Sequence, residues 1–131
     1  MKFKVTTRVV RPFNTDNENF CYLKNIIEGD TWETAWQTFI SVNPNHEYVN
    51  AIELYNTIEE IEKQFYKIAD GEADRKRINK ILNLFHVGKI HTCSFWNDIQ
   101  RITKSIQSEK SKERYRYLAE WFYDQIENLG Y

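Results

Sequence analysis

The sequence predicts an α-rich α+β fold in a single domain, an N-terminal β-hairpin followed by a bundle of about five helices. Three observations lead there. Residues 2–10 alternate polar and apolar side chains, the period of a half-buried strand. Beyond residue 30, apolar residues recur at three- and four-residue steps, the period of helices with one buried face. Turn and capping residues fall between these periodic stretches rather than inside them. At 131 residues with 41% hydrophobic and 15% aromatic content, the chain suits one domain that buries roughly two-thirds of its unfolded surface.

The first strand is "KFKVTTRVV", with Phe3, Val5, Thr7 and Val9 on one side and Lys2, Lys4, Thr6 and Arg8 on the other. A turn-rich stretch, residues 11–19, leads to "FCYLKNIIE", which is β-branched and aromatic enough to return as the hairpin partner. A short helix through Phe20, Leu23 and Ile27 is the competing reading. Gly29 breaks the run, and "DTWE" offers Asp30 as N-cap with Glu33 reaching back, starting a helix through Trp32, Trp36, Phe39 and Ile40 that "NPN" stops. The next expected helix covers residues 47–69, on Ile52, Tyr55, Ile58, Ile61, Phe65 and Ile68, and "DG" at 70 and 71 closes it. A third, residues 73–87, aligns Ile78, Ile81, Leu82 and Phe85 ahead of Gly88. A fourth, residues 95–107, lies behind Ser94 as N-cap. The fifth, residues 110–129, aligns Tyr115, Leu118, Phe122, Ile126 and Leu129.

Catalytic signatures are missing. No Walker, dinucleotide, nucleophile-elbow or zincin motif occurs, and the chain has only four glycines with which to build a phosphate cradle. The stretch "HVGKIHTCSFWND" gathers His86, His91, Cys93 and Asp98. Paired short ligand spacings, the usual mark of structural zinc, do not appear there. It reads as a helix end and a connector, with His86 in a last turn where a cation interacts favourably with the helix dipole. Neither a metal nor a cofactor is expected, and no catalytic residue is assigned. The apolar runs are too short for a membrane span, the N-terminus lacks the apolar core of a signal peptide, and two cysteines make no disulfide framework. A cytoplasmic location and no membrane partner follow as expectations.

Charge is the most informative feature, because a net charge of −1 conceals strong segregation. Residues 12–74 hold three bases and thirteen acids, whereas residues 75–116 hold eleven bases and three acids. Within the basic block, Arg75, Lys76, Arg77, Lys80, Arg101, Lys104, Lys112 and Arg116 are candidates for contacting nucleic acid. Its order of helix, glycine turn, helix, polar joint and basic helix resembles the three-helix unit of winged helix-turn-helix proteins, with "ILNLFHVGKI" resembling the first helix and turn. The chain ends at "NLGY", where a wing would follow, so the unit is expected to be wingless.

On the fifth helix a second stripe accompanies the core stripe. Lys110, Arg114, Tyr117 and Trp121 fall on a flank roughly 80° to 140° from it at 100° per residue. Tyr, Trp and Arg are the residues enriched at binding hot spots. The reading that results is a non-catalytic binding protein that uses this flank against a protein or ribonucleoprotein partner. Small size and a composition rich in Asn, Ile and Lys, residues of AT-rich codons, suit a phage or mobile-element accessory inhibitor of a host defence system. Direct DNA or RNA binding through the basic C-terminal half is the alternative.

Overall fold

Alternation along "KFKVTTRVV" produces the first strand, β1 (Lys2–Val10), and the "FCYLKNIIE" segment returns beside it as β2 (Phe20–Glu28). The computed structural model of the chain describes residues 1–10, 20–87 and 92–131. The expected turn at 11–19, the helix stop at Gly88 and His91 lie outside the described residues. The β1/β2 pairing is antiparallel and unbroken from Lys2 opposite Glu28 to Val10 opposite Phe20. A hairpin is therefore formed, and the short-helix reading of residues 20–28 is not.

A third strand, β3 (Glu47–Leu54), pairs antiparallel with the other side of β1 and gives the order β2-β1-β3. This corrects the helix expected over residues 47–69, which is a strand followed by a separate helix. Two physical causes explain the error. "EYVNAIEL" carries residues that suit a pleated surface, and β1 offers it an open row of hydrogen-bonding groups, a tertiary opportunity that outweighs a weak helical period. The helix then starts where Thr57 caps it, its hydroxyl accepting from the Glu60 N–H at 3.2 Å.

Between β2 and β3 runs α1 (Trp32–Val42). Its N-cap is Thr31, whose hydroxyl accepts from the Thr34 N–H at 3.1 Å, one residue later than the expected Asp30. Gly29 is required by proximity, since a Cβ there would stand 2.8 Å from the backbone nitrogen of Ala35. Phe3, Val5, Ile27 and Ala35 form the core between sheet and helix, flanked by Trp32, Trp36, Phe39 and Ala51. The fully buried Thr7 hydroxyl in this layer is satisfied by His46 Nδ1 at 2.9 Å and by the Asn25 amide at 3.3 Å. These elements constitute one compact unit, Met1–Leu54.

The second unit, Tyr55–Tyr131, is helical. It contains α2 (Ile58–Lys67), α3 (Gly71–His86), α4 (Thr92–Ser105) and α5 (Glu109–Asn128). Gly71 separates α2 from α3 with φ of 81°, a value that glycine adopts without the strain an L side chain would meet. The α4 helix starts at Thr92, so Ser94 lies in its first turn instead of capping it. Helix α5 is the hub: the Phe122 ring lies 5.3 Å from Phe65 of α2, 5.5 Å from Phe85 of α3 and 5.6 Å from Phe95 of α4. Burial of each such side chain stabilises the unit by roughly 1.5–3 kcal/mol. Of the expected α5 stripe, Tyr115, Leu118, Phe122 and Ile126 are buried and Leu129 only partly so, and Ala119 is buried with them. No helix among the described residues is long and apolar enough to cross a membrane.

Candidate functional site

The apolar stripe of α3 places Ile78, Ile81, Leu82 and Phe85 against its neighbours, and Asp74 stands at the head of the same stripe. Its side chain is only 3% exposed. A carboxylate so placed needs cationic and N–H partners, and it has them. One oxygen accepts from Arg77 Nη1 at 2.8 Å. The other accepts from Arg114 Nε at 2.8 Å, from Arg114 Nη2 at 2.5 Å and from the Asp70 N–H at 2.9 Å. The Arg114 bonds first, with help from the Asp70 N–H and Arg77, hold the Asp74 carboxyl down at about 2 even though burial pushes the other way.

The two arginines are fixed in turn. Arg114 Nη2 also donates to the Ile68 carbonyl at 3.0 Å, and Arg77 Nη2 donates to the Ser111 hydroxyl at 3.2 Å. The guanidinium of Arg114 lies 5.2 Å from the centroid of the Tyr117 ring, within cation–π range. Its Nη1 makes no hydrogen bond among the described residues. Tyr117 itself is 50% exposed. Together with Asp70, Lys110, Ser111 and Glu113, these groups line an open cleft of about 520 Å³ between the start of α3 and the first half of α5.

Three of the four residues expected on the second stripe of α5, Lys110, Arg114 and Tyr117, are therefore brought together. Trp121 is not with them. It is 8% exposed, its ring stacked on Phe65 at 5.1 Å with Tyr55 at 6.4 Å. The expectation of a free Trp121 is corrected: α2 crosses the flank there and turns it into core. The residue that organises the cleft, Asp74, was not among the candidates. One sequence signal could have found it, since positions 74, 78, 81 and 85 share the helical step of the buried stripe.

The candidate nucleic-acid residues scatter over three helices. Arg75, Lys76, Arg77 and Lys80 lie on α3, Arg101 and Lys104 on α4, and Lys112 and Arg116 on α5. Several of these bases meet acids: Arg77 with Asp74, Lys76 with Glu72 at 3.9 Å, Arg101 with Asp98 at 3.1 Å, and Lys112 with Glu109 at 3.5 Å. Lys104 and Arg116 do converge, beside Trp96, Gln100 and Glu120, in a groove of about 280 Å³ between α4 and α5. His86 pairs with Glu62 at 2.6 Å, and Cys93 is exposed in the first turn of α4. Among the described residues no three His, Cys, Asp or Glu side chains gather in a way that could hold a metal ion.

The chain matches no protein-family model, no curated protein and no solved structure.

Proposed function

We propose that the chain is a non-catalytic binding protein whose cleft between α3 and α5 docks a protein or ribonucleoprotein partner through Tyr117, Lys110 and the open edge of Arg114. The observation that carries this reading is the preorganised Arg114–Tyr117 pair. A buried carboxylate holds the guanidinium in one position, so little side-chain entropy remains to be lost when a partner arrives. Arginine and tyrosine in a fixed arrangement at the mouth of a cleft are the makings of a hot spot. Charge favours a protein surface over a phosphate backbone. Asp70, Asp74 and Glu113 balance Arg77, Lys110 and Arg114 among the lining residues, so a polyanion would meet acids as well as bases.

Affinity capture from a lysate of the source cells, with and without nuclease, is the first measurement. Nuclease-resistant capture is expected, and Tyr117→Ala and Lys110→Ala should weaken it by about tenfold, the scale of an interface hot spot, without lowering the melting temperature. Capture that survives both substitutions would remove the cleft from consideration.

Direct nucleic-acid binding is the second reading, and the α4–α5 groove favours it. Lys104 and Arg116 are exposed, without an ion pair among the described residues, and share the groove with a tryptophan. Affinity for generic DNA or RNA should then fall linearly on log–log axes with salt, and Lys104→Ala and Arg116→Ala should each reduce the slope by about one.

A further inference from the structure

The sheet of the first unit has two outer strands, and they differ in how they are protected. An outer strand presents unpaired N–H and C=O groups that another chain can use, and bulges or charges normally blunt it. Strand β3 has both devices. Its pairing with β1 shifts register between Thr6 and Thr7, and it carries Glu47 and Glu53. Strand β2 carries as many charges but has no such shift. Nine consecutive pairs with β1 run without a break, so the strand pairs regularly along its length. Its exposed side chains are largely apolar: Tyr22 is 62% exposed, Ile26 54% and Leu23 39%. Lys24 and Glu28 are its only charged residues.

From this contrast we infer that β2 is a pairing edge, and that its occupant is β2 of a second copy of this chain. The sequence of the strand chooses both the occupant and the register. Two copies of β2 related by a two-fold axis perpendicular to the sheet run antiparallel, and an axis through one residue keeps both α1 helices on the same face. An axis through Lys24 sets two ammonium groups directly opposite each other, which is unfavourable. An axis through Leu23 leaves Glu28 beyond the paired stretch.

An axis through Asn25 satisfies the strand. Lys24 then lies opposite Ile26 of the second copy, so its alkyl stem covers an exposed apolar side chain. The two Lys24 residues are only diagonal neighbours, and each has Glu28 of the other copy on its other diagonal. On the α1 side, Leu23 meets Ile27 of the second copy. The product is a six-stranded antiparallel sheet in the order β3-β1-β2-β2-β1-β3, whose outer strands are the two protected β3 strands. Pairing ends there, so the assembly closes as a dimer instead of growing into a fibre.

The register permits a direct test on the full chain. In a Cys21→Ser, Cys93→Ser background, Asn25→Cys should oxidise readily to a disulfide-linked dimer, because directly opposed strand residues have Cα atoms about 4.5–5.5 Å apart, within disulfide reach. Leu23→Cys and Lys24→Cys in the same background should cross-link far less. Sedimentation equilibrium of the unsubstituted chain should show a concentration-dependent monomer–dimer exchange. Ile26→Lys, which sets a lysine opposite Lys24, should weaken the dimer by at least about tenfold, since symmetry counts each substitution twice, with the melting temperature of the monomer unchanged. A chain that stays monomeric at every accessible concentration would overturn the proposal. So would a dimer that tolerates Ile26→Lys, or cross-linking that is strongest at residue 23 or 24.

Discussion

The two halves of α5 begin from the same sequence pattern and reach opposite ends. Lys110, Arg114, Tyr117 and Trp121 follow one another at three- and four-residue steps along one flank. In the first half that flank lines an open cleft, with Arg114 bound by Asp74 and Tyr117 half-exposed. In the second half, Trp121 stacks on Phe65 of α2 and is core. The difference lies in the neighbours. An α3 that presents a carboxylate makes a polar contact and leaves space, whereas an α2 that presents a phenylalanine closes the gap. The flank of a helix thus acquires its role from what crosses it.

The largest expected effect tests that contrast directly. Trp121→Ala should destabilise the protein by about 3–5 kcal/mol, as for a large aromatic removed from a core, whereas Tyr117→Ala four positions earlier should cost under about 0.5 kcal/mol. Urea denaturation of the two variants decides it, and equal losses would erase the distinction between the halves. Asp74→Ala comes next. It leaves two guanidinium groups without their shared carboxylate, and because their side chains are 24% and 33% exposed the cost should be about 2–3 kcal/mol, below that of a fully buried pair.

Acid provides the third test. Because the Asp74 carboxyl is held down at about 2 in the folded chain, below the ordinary carboxylate range, its contribution is present above about pH 4. That contribution, about 2 kcal/mol, is lost as pH falls from about 4 toward 2. Stability measured across this window should fall less steeply in Asp74→Ala than in the unsubstituted chain, and parallel curves would mean that another carboxylate carries the effect. The smallest effect concerns Tyr115, on the core face of the first half of α5. Its hydroxyl is buried with no hydrogen-bond partner among the described residues, and burial pushes its pKa up to about 12. Tyr115→Phe should therefore be neutral or stabilise by up to about 1 kcal/mol, read as a rise in melting temperature. A clear loss of stability would reveal a partner for that hydroxyl and place a polar contact in what is otherwise apolar core.

Most of the elements, and part of the cleft, could be read from the residues. Period-two alternation located β1, and the helical stripes located α3 and α5 to within a few residues. The α5 flank led to Lys110, Arg114 and Tyr117. The main error in the fold, one helix over residues 47–69, arose because Ile52, Tyr55 and Ile58 satisfy a helical step while "TIEE" at 57–60, an internal capping signature, marks the true start of α2. The main omission at the site was Asp74, an acid at a stripe position that was counted only as part of an acidic segment.

By itself, then, the sequence determined what depends on near neighbours along the chain: strand and helix periods, where the chain turns, which side of each helix is apolar, and where charge collects. These follow from local sterics and from the fixed geometry of a strand or a helix. Only the tertiary structure decided what depends on distant segments. It made residues 47–54 a strand, because β1 had an open side. It buried Trp121 under Phe65, and it joined Asp74 to Arg114 across 40 positions of sequence. Neither burial nor pairing is a property of a residue alone; each requires a second surface, and the fold supplies that surface.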